Sequence, residues 1–279
     1  MRMSEQFMII DAWVQPWPAE ITSYIPARNS GMLDRFSHGN RVLAGITLEE
    51  MVAEMDAAGI DHALCSAGPL VPNNLVEEAV GRYPDRFTGI ASVDPWSPDG
   101  VMPAVRELRR LVRDKGFRGL KLEPFIQDKV PTEAQWYPLY SESVELDIML
   151  QIQVGGTGPA TYPSETGRPC YVDRIAIDFP ELRIVAGHIG WPWTEEMIAV
   201  AVKHPNVWID TSAHLPRYYP AAFVHFLKTF GRRKCIWASD WPIQEFAPSL
   251  KGVDELGLST EGRKLFLHDN AVEAFRLDR

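Results

Sequence analysis

Two residues in the second half of the chain have the side chains that acid–base catalysis requires. His188 lies in the segment AGHIG (186–190), and Asp240 lies in the segment ASDWP (238–242). A carboxyl group in an apolar pocket has a raised pKa and can exchange protons near neutral pH, and an imidazole can polarise a carbonyl or carry a proton. We therefore predict Asp240 as the catalytic general base and His188 as the polarising or proton-shuttling group. A structural role is the alternative for both.

Other polar residues could bind an acidic or carbonyl-bearing substrate. Gln151 and Gln153 are two apart on a predicted strand and share one face, from which their N–H groups could stabilise an oxyanion; internal hydrogen bonding is the alternative. Lys121 and Glu123 have the same spacing and indicate a buried ion pair. Loop residues that could reach a substrate carboxylate or the pocket, with a solvated position as the alternative, are Arg168, Arg217 and His214.

Tryptophan is the unusual feature of the composition, with nine residues in 279. Six of them lie at or just after the ends of predicted strands: Trp13, Trp17, Trp96, Trp191, Trp193 and Trp241. An aromatic pocket with a few polar groups is the usual composition of a small-molecule site, whereas packing around loops is the alternative for each indole. The residues of this region that we predict to contact an aromatic or cyclic substrate are Trp13, Gln15, Trp17, Trp96, Trp191 and Trp241.

Eight short apolar segments, each suited to a buried parallel strand, alternate with helical segments along the chain. The predicted strands are 7–13, 61–67, 87–94, 117–125, 147–155, 183–190, 207–213 and 234–241. Eight strand–helix pairs predict an α/β fold, a single-domain (β/α)8 TIM barrel over residues 1–279. An open doubly wound sheet is the alternative, but no G-x-G-x-x-G follows a strand. In a barrel, catalytic residues lie at the carboxyl ends of the strands.

Three connecting segments have signals of their own. Thr47 and Glu50 predict a capping box at the start of a helix, and Thr132 and Gln135 predict a second one. The segment 16–46 after the first strand is long for a loop. We predict that it is a lid over the site or, equally, a dimer contact.

The charge and the cysteine content bear on partners and compartment. The chain has 28 Lys and Arg against 37 Asp and Glu and no basic stripe, so we expect no nucleic-acid partner. No apolar run approaches the ~18 residues of a membrane span, so we expect no membrane partner. Three cysteines without a C-x-x-C motif are typical of a reduced, cytoplasmic protein. We expect a small-molecule substrate. A second copy of the chain, in a homodimer, is the alternative to a monomer.

Seven short motifs recur in an order and spacing that resemble a known group of enzymes. They are IID (9–11), MDAAGID (55–61), YPDRF (83–87), GFRGLKL (116–122), AGHIG (186–190), NVWIDTS (206–212) and ASDWP (238–242). The sequence resembles the amidohydrolase superfamily, in the branch that contains aminocarboxymuconate-semialdehyde decarboxylase, resorcylate decarboxylases and pyrone-dicarboxylate lactonase. The resemblance covers nearly the whole chain and implies the same barrel fold.

The resemblance also implies a metal site, whose usual ligands are mostly replaced here. The family's first strand ends in Asp-x-His-x-His and its fifth strand supplies another His, whereas this chain has Trp13, Gln15 and Gln153 there. Only His188 and Asp240 match. An indole offers no lone pair and an amide oxygen is a weak zinc ligand, so we predict no metal and no other cofactor. The alternative is one divalent metal, such as Zn²⁺, at His188 and Asp240.

Three functions remain open from the sequence. The leading one is a metal-independent hydrolase of a small cyclic or aromatic carboxylate or lactone, in which Asp240 activates water. The second, which the resemblance implies and the replaced metal ligands count against, is a metal-dependent non-oxidative decarboxylase of an aromatic or muconate-type acid. The third is a non-catalytic or altered barrel that binds an aromatic small molecule, because a fold does not fix a function.

Overall fold

The computed structural model describes residues 7–22 and 39–277. In them, eight parallel strands form one sheet in sequential order. The strands are β1 (Ile10–Val14), β2 (His62–Ser66), β3 (Phe87–Ala91), β4 (Gly119–Leu122), β5 (Met149–Gln153), β6 (Ile184–Gly187), β7 (Val207–Asp210) and β8 (Cys235–Ile236). Nearly all of their residues are buried, as expected of parallel strands covered on both faces.

The chain beyond β8 closes the sheet against β1. The Ala12 N–H donates to the Trp237 carbonyl at 3.2 Å, and the Gln15 N–H donates to the Trp241 carbonyl at 3.0 Å. Val14 and Trp241 form a single parallel bridge. The predicted (β/α)8 barrel is therefore confirmed. The predicted strand 234–241 is longer than β8 because its later residues meet β1 through separate contacts rather than a continuous ladder.

Helices connect the strands and cover the outside of the barrel. They are α1 (Ala19–Thr22), α2 (Gly39–Ala44), α3 (Leu48–Ala58), α4 (Asn73–Arg82), α5 (Met102–Lys115), α6 (Pro124–Gln127), α7 (Tyr137–Glu145), α8 (Pro169–Asp178), α9 (Thr194–Lys203), α10 (Ala221–Lys228), α11 (Phe246–Glu255), α12 (Thr260–Lys264) and α13 (Asn270–Phe275). Among the described residues, none of these helices has the length and apolar character needed to cross a bilayer.

One of the two predicted capping boxes is present. The Thr47 hydroxyl accepts from the Glu50 N–H at 3.2 Å, and the Glu50 carboxylate accepts from the Thr47 N–H at 2.8 Å, which starts α3 as predicted. The predicted box at Thr132 and Gln135 is wrong. The chain enters α7 through a 3₁₀ turn, Ala134–Trp136, whose capping residue makes no side-chain hydrogen bond to the turn.

The long segment 16–46 is not a plain loop where the structure describes it. Its two ends form α1 and α2, and Trp17 pairs with Ile46 in an antiparallel bridge that brings the ends together. Residues 23–38 lie outside the described residues. The lid and the dimer contact therefore stay predictions.

Alternation along each strand decides which side chains enter the barrel. On β5, Met149 belongs to an inner apolar cluster, whereas Leu150 packs in an outer cluster that includes the helices. Gln151 and Gln153 share the inward face with Met149, because successive side chains of a strand point to opposite sides. The same alternation on β4 turns Lys121 inward, and it is buried there.

β1 departs from this alternation just before the barrel mouth. Its register against β2 shifts between Asp11 and Val14, and both Ala12 and Trp13 belong to the inner cluster. Neighbouring residues of a regular strand cannot face the same side, and an irregularity of this kind re-aims a side chain. The shift therefore turns the indole of Trp13 into the barrel.

Candidate active site

His188 is held just after β6 by a buried hydrogen-bond network. Its Nδ1 lies 2.7 Å from Ser212 Oγ, and the Ser212 hydroxyl donates to Asp210 Oδ1. The backbone N–H of His188 faces the same pair, 3.2 Å from Ser212 Oγ and 3.4 Å from Asp210 Oδ1. Burial lowers the pKa of His188 to about 3, so the imidazole is neutral at physiological pH.

Asp240 lies where the chain leaves β8 and meets β1. Its N–H donates to the Trp13 carbonyl at 3.0 Å, and the Gln15 amide donates to Asp240 Oδ1 at 3.3 Å. Loss of hydration raises the pKa of Asp240 well above its ordinary value, while the nearby Lys121 ammonium opposes this rise and neighbouring carboxyl groups add to it. Asp240 therefore keeps its proton at pH values where an exposed aspartate is ionised.

A buried cation lies at the same end of the barrel. The Lys121 side chain has no exposed surface, and its Nζ lies 4.6 Å from the centre of the Trp13 ring and 3.5 Å from Glu123 Oε1. Among the described residues, no acceptor forms a hydrogen bond with this ammonium. An aromatic face attracts a cation, and a counter-ion reduces the cost of burying one. The predicted Lys121–Glu123 ion pair is therefore present at this end of the barrel.

The Trp13 indole contacts both this cation and the imidazole of His188. Its ring centre is 4.9 Å from that of His188, with the planes tilted by 45°. A Cβ atom on Gly187 would lie only 2.7 Å from Trp13 Cζ3, so the absence of a side chain on β6 makes room for the indole. The structure brings Trp13 and Gln15 together with His188 and Asp240, which are four of the residues that the sequence places in the site.

The two amides of β5 have different surroundings. Gln151 is fully buried, its Oε1 accepts from Ser66 Oγ at 2.8 Å, and its Nε2 donates to the Ala12 carbonyl at 2.8 Å. These bonds favour the internal role that the sequence leaves as an alternative. Gln153 lies two residues nearer the barrel mouth and is 8% exposed. Its contact with a substrate stays a prediction.

Three of the predicted tryptophans pack against other parts of the protein. The Trp17 indole donates to the Val42 carbonyl at 3.1 Å. Trp96 meets Trp136 edge-on, with ring centres 4.6 Å apart. Trp241 is buried after β8, where it also forms part of the closure of the barrel. These contacts are those expected from the packing alternative, and they account for the positions of these indoles without a ligand.

Trp191 and His214 form a second group near the network of His188. Trp191 is 53% exposed, and its ring centre lies 6.4 Å from that of His214. His214 Nδ1 lies 3.1 Å from the Ser212 carbonyl, and burial lowers the pKa of this imidazole. His214 is therefore tied to the segment that holds His188.

Both predicted arginines contact aromatic rings of the protein, and Arg168 also contacts a glutamate. The Arg168 guanidinium lies 4.9 Å from the centre of the Trp193 ring and 3.4 Å from Glu196. Arg217 is exposed, and its guanidinium lies 4.8 Å from the centre of the Tyr218 ring. A role for either residue in binding a substrate carboxylate stays a prediction.

Sequence reasoning missed Asp210 and Ser212 as partners of His188. Both are fully buried, and they are two residues apart at the end of β7, next to β6 in the sheet. Polar residues at alternate positions of an otherwise apolar strand share its inward face. That pattern in NVWIDTS, set beside the strand of a candidate catalytic histidine, is the signal that could have found them.

The family of the chain is decided by its match to the amidohydrolase family model. The match extends over residues 10–277 and therefore includes every strand of the barrel. The chain belongs to the amidohydrolase family. The resemblance stated from the sequence motifs is confirmed.

The relatives of this amidohydrolase catalyse reactions that differ from one another. It is 22% identical over 302 residues to gamma-resorcylate decarboxylase from Polaromonas sp., covering 91% of each chain. It is 24% identical over 225 residues to L-fucono-1,5-lactonase from Burkholderia ambifaria, covering 72% of this chain and 74% of the lactonase. The structure of 5-carboxyvanillate decarboxylase from Novosphingobium aromaticivorans, with bound manganese and 3-methoxy-4-hydroxy-5-nitrobenzoic acid, has a TM-score of 0.75 at 21% identity and covers 97% of each chain.

The manganese in that relative raises the question of a metal site in this amidohydrolase. Among residues 7–22 and 39–277, no three His, Cys, Asp or Glu side chains are grouped to hold a metal ion. Beside His188 and Asp240 lie the Trp13 indole, which has no lone pair to offer, and the Gln15 amide nitrogen, which faces Asp240. The Lys121 ammonium would repel a divalent cation. This donor set does not fit a catalytic metal with three protein ligands.

Proposed function

We propose that this amidohydrolase is a non-oxidative decarboxylase of a small hydroxylated aromatic or cyclic carboxylic acid, and that it works without a resident metal. The observation that carries the proposal is the buried position of Asp240 beside the Gln15 amide, where loss of hydration raises the pKa of this carboxyl well above its ordinary value and favours the protonated form that can donate a proton. The hydrolase favoured by the sequence would need the same carboxyl ionised, as a general base. The decarboxylases among the relatives support the proposal.

Decarboxylation of an aromatic acid requires a proton at the ring carbon that bears the carboxylate. Asp240 donates that proton, which leaves the ring temporarily non-aromatic. The bond from this carbon to the carboxylate then breaks, its electron pair restores the aromatic ring, and CO₂ leaves. Asp240, now a carboxylate, regains a proton from water. A ring hydroxyl assists the first step because it supplies electron density to the carbon that is protonated.

The groups around Asp240 suit an anionic, hydroxylated substrate. The Lys121 ammonium can attract a substrate carboxylate, and its partner Glu123 offsets part of that attraction. The amides of Gln15 and Gln153, which are 9% and 8% exposed, can donate to carboxylate or hydroxyl oxygens. The neutral His188 can hydrogen-bond a substrate hydroxyl without adding a second cation.

A lactone hydrolase is the second candidate, because one electrostatic feature favours it. The Lys121 ammonium lowers the pKa of Asp240 and so favours the ionised carboxylate that a general base requires. In this reaction Asp240 would activate water, and His188 and Gln153 would stabilise the oxyanion as the sequence predicts. The likeness to L-fucono-1,5-lactonase supports this candidate.

The experiment that tests the proposal compares the two reactions in metal-depleted protein. The protein is treated with a chelator, and its metal content is measured by mass spectrometry. Release of CO₂ is followed with 2,6-dihydroxybenzoate and 5-carboxyvanillate, and ring opening is followed with L-fucono-1,5-lactone and 2-pyrone-4,6-dicarboxylate. We expect CO₂ release from at least one acid, and a fall of roughly 10²–10⁴-fold in Asp240→Asn, the range for loss of a positioned acid.

Three outcomes would contradict the proposal. Activity that disappears on chelation and returns with manganese would show that the site holds a metal. Ring opening without CO₂ release would favour the hydrolase. Binding of the aromatic acids without any turnover would support the third function, a barrel that binds but does not catalyse.

A further inference from the structure

We infer that Ser212 and Asp210 are positioning residues that hold His188 in one tautomer, with its proton on Nδ1 and a free lone pair on Nε2. The contribution of His188 to turnover rests on the proposed function. The tautomer itself follows from the hydrogen bonds among these three residues, so it can be measured whatever the substrate is.

Four contacts decide where the hydrogen atoms of the network lie. Asp210 Oδ1 faces the Ser212 N–H at 2.9 Å and the His188 N–H at 3.4 Å, so it already accepts from two backbone donors. The hydrogen between Ser212 Oγ and Asp210 Oδ1 therefore comes from the hydroxyl. Because a hydroxyl has one hydrogen to give, its oxygen must accept in the 2.7 Å contact with His188, and the donor there is Nδ1–H.

Protonation of Asp210 does not reverse this pattern. Its second oxygen, Oδ2, is buried and makes no hydrogen bond to any described residue, so a proton on the carboxyl has a place that leaves Oδ1 an acceptor. Asp210 and Ser212 are both fully buried, and His188 is only 8% exposed. Little water therefore reaches these three groups, so their hydrogen bonds to one another are not readily replaced by hydrogen bonds to water. A neutral imidazole carries a single N–H, and the network fixes that N–H at Nδ1.

The tautomer determines what His188 can do for a substrate. Nε2 can accept an N–H or O–H group, but it has no hydrogen to donate to a carbonyl oxygen. In this state His188 cannot polarise a carbonyl, which is one of the two roles predicted from the sequence. It instead selects a substrate that presents a hydroxyl group, such as a phenol, at this point of the site. The network thus narrows the proposed substrates to hydroxylated acids.

The ring nitrogens of His188 can be measured directly. Protein labelled with ¹⁵N at histidine is studied by long-range ¹H–¹⁵N correlation NMR near neutral pH, and His188 is assigned from the spectrum of His188→Gln. We expect protonated Nδ1 and unprotonated Nε2 in the wild type. Ser212→Ala removes the acceptor of Nδ1–H, so the population with the proton on Nε2 should rise, whereas Ser212→Thr keeps the hydroxyl and should keep the wild-type tautomer.

His214 is a matched internal control in the same spectra. Its Nδ1 faces the Ser212 backbone carbonyl at 3.1 Å, an oxygen that can only accept, so His214 should also be protonated at Nδ1. Ser212→Ala retains this carbonyl, and the tautomer of His214 should not change. A wild-type His188 protonated at Nε2 would overturn the inference without any variant. So would an unchanged His188 tautomer in folded Ser212→Ala.

Kinetics separate this inference from the proposed reaction. If CO₂ release is found, Ser212→Ala should lower kcat by about a hundredfold, with a smaller change in KM and recovery in Ser212→Thr. If no CO₂ release is found, the proposed function fails while the NMR result still decides the tautomer. If Ser212→Ala has the expected change of tautomer but full kcat, Ser212 and Asp210 do not act through His188 and the positioning role is wrong.

Discussion

The six-membered ring of Trp13 occupies the space that a side chain on Gly187 would need. A Cβ atom at residue 187 would lie 2.7 Å from Trp13 Cζ3, and contacts below 3.0 Å are not tolerated without a shift. The irregular register of β1 between Asp11 and Val14 turns the indole inward, and the bare backbone of β6 receives it. These two features of separate strands therefore depend on each other.

The first prediction concerns this pair. Gly187→Ala should lower the free energy of unfolding by about 1–3 kcal/mol, as is usual when a group is forced into a packed interior. Urea denaturation measures the loss. Trp13→Phe in the Gly187→Ala background should recover part of it, because the smaller ring leaves room for the added methyl group.

Gly81→Ala is the control for adding a methyl group to a glycine. Gly81 is exposed on α4, and no described atom lies within 4 Å of the place that the added methyl group would take. Its backbone is helical, so the change should be neutral or slightly stabilising. An equal effect of Gly81→Ala and Gly187→Ala would mean that the indole gives way easily and does not fill the mouth as described.

The second prediction concerns the pH dependence of stability. Asp11 is fully buried and accepts from the Ser239 and Trp13 N–H groups, and burial raises its pKa to about 7. Between the unfolded pKa, near 3.8, and the folded value, only the folded protein holds this proton. The free energy of unfolding should therefore fall as pH rises through this window, by about 1.4 kcal/mol per pH unit for this group.

Asp11→Asn should remove that part of the slope, because an amide keeps the acceptor oxygen but does not titrate. Urea denaturation at several pH values between 4 and 8 gives the slopes. Asp99→Asn, a change at an exposed aspartate, is the control and should leave the slope as in the wild type. Equal slopes in Asp11→Asn and the wild type would show that Asp11 is ionised in the folded protein.

The third prediction is the pH profile of activity. The proposed decarboxylase needs Asp240 protonated, so kcat should fall as pH rises through the elevated pKa of this carboxyl. A hydrolase with Asp240 as base should have the opposite trend over the same range. His188 adds no change above mildly acid pH, because its pKa is about 3. Steady-state rates over a series of buffers distinguish the two reactions.

The barrel was predictable because it follows from local patterns. Eight apolar strand segments and the capping box at Thr47 are set by alternation and by neighbouring residues, and both are present. The second capping box failed at Thr132 because the turn Ala134–Trp136, which packs through the buried Trp136, starts α7 instead. The start of such a helix depends on packing against residues that are distant in the sequence. A local sequence motif does not encode that packing.

The site was only partly predictable for a related reason. His188 and Asp240 were predicted because their residue types suit catalysis and strand ends meet at one face of a barrel, and their catalytic roles stay predictions. The direction of the Trp13 indole depends on an irregularity in β1, which the sequence pattern does not reveal. The raised pKa of Asp240 depends on the summed effects of burial and of neighbouring charges from other strands. The order of residues along the chain does not give the distances between Asp240 and these charges.

The fourth prediction concerns Lys121 on β4 and Glu123 just after it, because their charges shift the pKa of Asp240 in opposite directions. The Lys121 ammonium lowers the pKa of Asp240, and the Glu123 carboxylate raises it. Lys121→Met should therefore move the alkaline fall of activity to higher pH, and Glu123→Gln should move it to lower pH. Lys115→Met removes an exposed lysine that pairs with Glu77 on the outer surface, and it should leave the profile in place.

Stability provides an independent check on the same variants. Lys121→Met leaves Glu123 without its counter-ion in a mostly buried position, so unfolding should become easier by up to about 3–5 kcal/mol, the usual cost of breaking a buried ion pair. The double variant Lys121→Met with Glu123→Gln removes both charges and should recover part of that loss. If the single variants shift the pH profile in the same direction, these two charges do not set the protonation of Asp240, and its elevated pKa comes from burial alone.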